Sequence, residues 1–248
     1  GIEYLKSNNV EVDLGILENE AIALNQGFFH RMKEKKPYIK IKIASSLDGN
    51  TSLKTGESKW ITSEHSRDDV QKLRAHSCAI LSGVGTVNSD NPKLNVRGRN
   101  HDKQPKRFIL DSHLSIKSNL EILQQENVFI VYGDDPNNNL SKLKNIKAKL
   151  IQMPQKNNRI DLSYVISYFN EFGINNLLVE AGPTLSGAMI ESGFFNDLII
   201  YIAPVLLGSE ANNLIKLTQI KTMKQRINFS YKDIRSIGSD IRITLESI

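Results

Sequence analysis

Asn176-Leu177-Leu178-Val179-Glu180-Ala181-Gly182-Pro183-Thr184-Leu185 is the stretch on which the reading of this chain turns. An apolar run of strand length stops at a carboxylate, a glycine permits close backbone approach, and a helix begins near Thr184. Free N–H groups at a helix start, together with its dipole, bind phosphate well, so the loop suits a dinucleotide pyrophosphate. It is not the G-x-G-x-x-G fingerprint, and from local features a plain strand-to-helix turn serves equally. Glu180 is harder to set aside, because a carboxylate at the buried end of an apolar strand is costly unless it binds something.

Working outward, strands and helices alternate. Tyr38-Ile39-Lys40-Ile41-Lys42-Ile43-Ala44 has the strict apolar–polar alternation of a strand. Thr62 or Ser63 caps a helix with acids in its first turns that runs to about His76. Cys78 to Leu81 forms a short strand entering a Gly-rich turn, Gly83-Val84-Gly85-Thr86. Further strands are expected at Phe108–Asp111, Val128–Tyr132, Leu198–Ala203 and Ile241–Leu245, with a helix over 161–172. The late strands lack a helix between every pair, which predicts an α/β fold with a mixed, mainly parallel sheet flanked by helices. Before Pro37 the pattern differs: a helix end (Gly1 to Asn8), a short strand (Val10-Glu11-Val12) and a helix from Glu18 to Met32. Residues 1–13 are too few for a core of their own, so the chain reads as opening in the tail of another unit.

Composition sets the broad class. The chain has 248 residues, 40% of them hydrophobic and 24% charged, an ordinary globular balance. No run of about 18 apolar residues predicts a membrane span, and the first residues lack a signal-peptide layout. The single cysteine, Cys78, cannot form an internal disulfide, so a cytoplasmic setting is the expectation. A formal charge of +5 allows polyanionic partners. The lysines are nevertheless spread along the chain, and the densest basic run, Arg31 to Lys36, reads as a solvated linker without interleaved aromatics. No nucleic-acid partner is therefore expected.

Ligands in open α/β sheets collect where strand carboxyl ends meet the following turns. The candidate loops are Ala44 to Gly49 with Gly56 to Thr62, Gly83 to Asp90 with Asn91 to Arg97, and Glu180 to Ala188. Asp48 and Asp90 also fit as turn-formers. No metal site is expected: His30, His65, His76, His101 and His113 show no H-x-H or H-E-x-x-H spacing. His65 and His76 on one helix lie roughly 16 Å apart, too far for one ion.

Several of these strings, in this order, resemble one family. They are Lys42 to Gly49, Ser58 to Ser63, Asp69 to Ala75, Gly83 to Val87, Val179 to Leu185, Ala203 to Gly208 and Asp233 to Asp240. They are similar to the reductase domain of the bifunctional riboflavin-biosynthesis deaminase/reductase. The resemblance spans about 38–248, and it implies that residues 1–37 are the C-terminal remnant of a deaminase domain plus a linker. It implies a dihydrofolate-reductase-like fold in which NADPH reduces 5-amino-6-(5-phosphoribosylamino)uracil to the ribitylamino compound, in a homodimer.

By the same resemblance, NADPH lies along Ala44, Trp60, Thr86, Asp90, Ser112 and the run Gly182, Pro183, Thr184, Leu185, Ser186, Gly187 and Ala188. The substrate contacts Ser58, Arg74, Leu94, Arg97 and Glu180. Two arginines suit a ribose phosphate, because the guanidinium fork matches phosphate geometry. Proton transfer is expected from Lys42, Asp90 and Glu180 as a group, with a purely electrostatic role as the competing reading. The family often has a second aspartate where this chain has Asn91, which weakens that position and leaves Asp90. The zinc-deaminase signature, H-x-E with P-C-x-x-C, is absent, so no deamination is expected of this chain. The rivals are a reductase of the same fold acting on another pyrimidine or pterin, and a non-catalytic nucleotide-binding module.

Overall fold

The computed structural model describes residues 1–98 and 103–248. Its elements, in order, are α1 (Ile2–Ser7), α2 (Glu18–Leu24), α3 (Gln26–Glu34), β1 (Tyr38–Ser46), β2 (Asn50–Ser52), α4 (Glu64–Ala75), β3 (Ala79–Gly83) and α5 (Val84–Asp90). There follow β4 (Lys106–Asp111), β5 (Val128–Tyr132), β6 (Lys149–Gln152), the small pair β7 (Gln155–Lys156) and β8 (Arg159–Ile160), and α6 (Leu162–Glu171). The chain closes with β9 (Asn176–Glu180), α7 (Pro183–Glu191), β10 (Asp197–Ala203), β11 (Asn212–Asn213), β12 (Phe229–Ile237) and β13 (Asp240–Ser247).

A nine-stranded sheet in the order β12-β13-β10-β1-β9-β3-β4-β5-β6 organises the molecule. From β10 through β6 every neighbouring pair is parallel, and β13 pairs antiparallel with both β10 and β12. Side-chain alternation sorts the residues of β1 onto two faces. Ile39, Ile41 and Ile43 join Phe108, Phe169, Val179 and Met189 in the core under α6 and α7. The opposite face carries Lys42 and Ala44 towards α4, and there Tyr201 and Val70 form a smaller apolar contact. A third cluster, with Ile80, Ile109, Ile130 and Leu178, is covered by Val87 of α5 and by Ile122 and Leu123.

Several sequence expectations need correction. Val10 to Val12 makes no strand, since no neighbour offers it a ladder. The helix expected over Glu18 to Met32 is broken at Asn25, whose amide side chain turns back onto the Ala21 carbonyl at 3.0 Å and competes with the helical backbone. The basic run from Arg31 is not a free linker: it forms the end of α3, and Arg31 Nε donates to Asn175 Oδ1 at 2.6 Å. Gly83 to Thr86 is not an open turn either, because Gly83 is the N-cap of α5 and the helix starts at once. Asp48 does more than form a local turn. Its carboxylate accepts from the Leu207 and Gly208 backbone N–H groups at 3.1 and 2.8 Å, and with Ser46 these hold its pKa down at about 2.

No described helix is long and apolar enough to cross a membrane. Gly187 shows how tightly α7 is held: a Cβ there would sit 2.0 Å from the carbonyl oxygen of Lys216. Gly187→Ala is therefore expected to lower stability by about 1–3 kcal/mol through overpacking. Urea unfolding measures it, and an unchanged midpoint would refute this close approach.

Candidate active site

The site begins where β9 lies between β1 and β3. From β1 the chain goes on to β3, whereas from β9 it crosses to β10 on the far side of β1. This is the topological switch point at which an open α/β sheet leaves a crevice beyond its strand carboxyl ends. Lys42 of β1 and Glu180 of β9 are register partners there and project to the same face.

Helix α4 delivers the third member. Its first turn is fastened to β13 by Asp240, which accepts from Ser63 N–H, Ser63 Oγ and Ser66 Oγ at 2.8, 2.8 and 2.6 Å. Its last turn then places Arg74 over the strand end. Arg74 Nε and Nη2 donate to the two oxygens of Glu180 at 2.6 and 2.9 Å, a bidentate pair with side chains 11% and 9% exposed. Arg74 Nη1 donates to the Asn95 carbonyl at 3.0 Å, tying the 91–97 segment to the same charge. That segment turns through left-handed residues at Asn91 and Leu94, which buries Leu94 and leaves Arg97 exposed at the rim.

Electrostatics follow from this packing. Burial opposes ionisation of Glu180, but Arg74, helped by Lys42 and Arg97, outweighs it and holds the pKa below the ordinary carboxylate value. Burial lowers the pKa of Lys42; Glu180 opposes that shift and Arg74 reinforces it. Lys42 also lies 6.0 Å from the ring of Tyr201, whose hydroxyl donates to Asp69 at 2.7 Å. Three cations against one carboxylate leave the site with surplus positive charge, suited to an anionic ligand.

One flank of the cleft is the start of α7. Thr86 Oγ1 accepts from Gly182 N–H at 3.0 Å, and Ser82 Oγ donates to the Glu180 carbonyl at 2.7 Å, fixing the loop between strand and helix. No side chain caps α7, so its first N–H groups are left for a ligand. Gly182, Pro183, Thr184, Leu185 and Ala188 line the cleft, whereas Ser186 and Gly187 do not. Ser186 is buried with its hydroxyl on the Ala181 carbonyl, and Gly187 is closed off by Lys216.

The remaining expected residues lie around one cleft of about 1650 Å³, larger than the ~300–1,000 Å³ usual for a single small ligand. Ala44, Ser58, Trp60, Thr86, Leu94, Arg97 and Ser112 all line it. Trp60 is largely exposed with the Arg67 guanidinium 4.6 Å from its ring. Asp90 also lines the wall, but among the described residues no ion pair or hydrogen bond joins its carboxylate to Lys42 or Glu180. Thus Lys42 and Glu180 come together and Asp90 stands apart. Sequence reasoning missed Asn95, and it missed the β7–β8 hairpin, whose Asn157-Asn158 turn was the available signal. Among the described residues no group of His, Cys, Asp and Glu could hold a metal ion; His101 lies outside them.

The family profile described as the RibD C-terminal domain matches residues 37–243. The chain belongs to the RibD C-terminal domain family. It is 37% identical over 259 aligned residues to the riboflavin biosynthesis protein RibD of Buchnera aphidicola subsp. Baizongia pistaciae, covering 99% of this chain and 69% of that protein. A protein of Buchnera aphidicola subsp. Acyrthosiphon pisum named 5-amino-6-(5-phosphoribosylamino)uracil reductase is 35% identical over 209 residues, 78% of this chain and 98% of its own length. Among solved structures, form 1 of Acinetobacter baumannii RibD superposes with a TM-score of 0.88 at 35% identity, covering all of this chain and 68% of that one. The mixed, mainly parallel sheet flanked by helices is thus the dihydrofolate-reductase-like fold of RibD reductase domains.

The Arg74–Glu180 pair makes a definite prediction. With its pKa depressed, ionised Glu180 contributes stability that is present above its unfolded pKa and lost as pH falls through the lower folded value. Without Arg74, burial dominates and the Glu180 pKa rises. Arg74→Ala is therefore expected to cost about 3–5 kcal/mol at neutral pH, with the gap to wild type narrowing once acid protonates Glu180. Urea unfolding at neutral and acid pH tests this, and an equal gap at both would discount the ion pair.

Proposed function

We propose that this chain reduces 5-amino-6-(5-phosphoribosylamino)uracil to 5-amino-6-(5-phosphoribitylamino)uracil with NADPH in riboflavin biosynthesis. The observation that carries this reading is the Lys42–Glu180–Arg74 group on the cleft floor, beside an uncapped helix start. The donor set fits a dinucleotide: the backbone N–H groups of Thr184 and Leu185, in the first turn of α7, are free for a pyrophosphate, and Gly182 lets it approach the Thr86 side. NADPH, when bound, supplies the hydride that ends on C1′ of the ring-opened ribose.

The protein's own residues do the rest. Arg97 and the positive floor attract the ribose phosphate, and a guanidinium meets it with two parallel N–H bonds. Glu180, kept ionised by Arg74, accepts hydrogen bonds from the sugar or the ring nitrogen and fixes the reacting carbon in place. Lys42 has a depressed pKa and gives up its proton readily, so it serves as the acid towards the ribose oxygen or imine nitrogen. Asp90, on the wall, acts on the cofactor side. In the same proposal residues 38–248 form the reductase domain, and residues 1–37 are the tail of a deaminase domain with its linker. The homodimer belongs to it too.

Loss of NADPH absorbance with the phosphoribosylamino-pyrimidine as substrate tests the proposal. Lys42→Met and Glu180→Gln are each expected to lower kcat about 10²–10⁴-fold while NADPH still binds. A folded wild-type chain that binds NADPH without turning this substrate over would refute the substrate assignment.

A further inference from the structure

The wall that carries Arg97 has no secondary structure to hold its shape. Residues 91–97 form neither helix nor strand, and Asn91 and Leu94 sit at φ values of 44° and 49°. Non-glycine residues stay in the left-handed region only where their surroundings hold them there. Here the surroundings do so bond by bond. Asn91 Oδ1 accepts from Glu121 N–H at 3.1 Å, and Arg107 Nη1 donates to the Lys93 carbonyl at 3.2 Å. The Gln104 side chain takes both the N–H and the carbonyl of Val96, at 2.8 and 3.2 Å.

One contact falls on Arg97 itself. Its backbone N–H donates to Gln71 Oε1 at 2.9 Å. Gln71 precedes Arg74 by three residues in α4, so the two side chains share a face of the helix. That face therefore holds the wall at Asn95 and at Arg97, while Arg74 also holds Glu180. Arg74 and Arg97 line the cleft and Gln71 does not, so Gln71 reaches a ligand only through what it holds. The residue type fits that task. A lysine or arginine has no acceptor for the amide, and a carboxylate would compete with a ligand for the Arg97 guanidinium.

We infer that Gln71 is a positioning residue for Arg97, fixing the root of that side chain so that its guanidinium meets the substrate's phosphate. This rests on the substrate reading above. An exposed arginine at a rim loses rotamer freedom when it grips a phosphate, and a backbone already fixed at its root leaves less to be ordered. Without the Gln71 acceptor the wall stays anchored at Asn95 and Val96, but the Arg97 amide is released. The loss then falls on phosphate recognition and spares the reacting carbon at the Glu180 end.

Steady-state kinetics on the phosphorylated substrate and its dephosphorylated counterpart test the assignment, with Gln71→Met, Arg97→Ala and the double variant. Ribose 5-phosphate is titrated in parallel through the fluorescence of Trp60, the chain's one tryptophan and part of the cleft wall. Gln71→Met keeps the length of the side chain and removes the acceptor. It is expected to raise KM for the phosphorylated substrate, and Kd for ribose 5-phosphate, about three- to tenfold. Its kcat, its KM for the dephosphorylated substrate and its urea midpoint are expected at wild-type values. Added to Arg97→Ala it is expected to change nothing further, since it acts only through that side chain. Additive losses in the double variant, an equal rise in KM for both substrates, or an unchanged KM, whether or not the urea midpoint falls, would each overturn the role. Wild type that binds ribose 5-phosphate without turnover overturns the substrate reading alone, and the Kd comparison still decides on Gln71. Wild type that neither binds ribose 5-phosphate nor turns the substrate over overturns both.

Discussion

A carboxylate forced into the interior at the end of β9 is the constraint around which the rest of the site is arranged. Glu180 is 9% exposed and could not remain ionised there unaided. Arg74 answers it with two hydrogen bonds, which requires α4 to end over that strand. The helix ends there because Asp240 grips its other end from β13. The spare donor of Arg74 then holds the Asn95 carbonyl and shapes the wall that carries Arg97. A substitution far from the cleft, at Asp240 for instance, thus reaches the site through the tilt of one helix.

The charge balance decides what the cleft accepts. Lys42, Arg74 and Arg97 surround one carboxylate, and the start of α7 adds partial positive charge at the flank. Water competes poorly for such a floor when a polyanion fills it. Burial lowers the pKa of Lys42, whereas the lowered pKa of Glu180 is the work of Arg74 against that same burial. One residue is thereby made a readier proton donor and the other a persistent acceptor.

Much of this was legible in the sequence because it depends on periodicity. The alternation in Tyr38 to Ala44 put Lys42 and Ala44 on one face, and the apolar run ending at Glu180 marked a buried acid. What the sequence could not show is pairing across long separations. Nothing local says that Arg74 meets Glu180 or that Asp90 stands apart from Lys42, because strand order decides both. Ser186 and Gly187 belong to the cofactor run that the resemblance implies, yet the 3.6-residue turn of α7 directs them into the core beside Lys216. The strand β12 was overlooked because its run of alternating charges, Lys232 to Arg235, reads as surface; it is an edge strand whose partner β13 supplies the ladder.

The position of β9 also bears on how the molecule is made. This strand is slotted between β1 and β3, which precede it by about a hundred residues or more. Until it emerges during synthesis, β1 and β3 each present an unsatisfied, strongly apolar edge. Closing the sheet therefore waits on a long-range insertion, and chains dominated by such pairings fold slowly and are exposed to aggregation meanwhile. The residue on which the chemistry centres arrives with that inserted strand, so a chain that has not yet closed its sheet carries no partly assembled site.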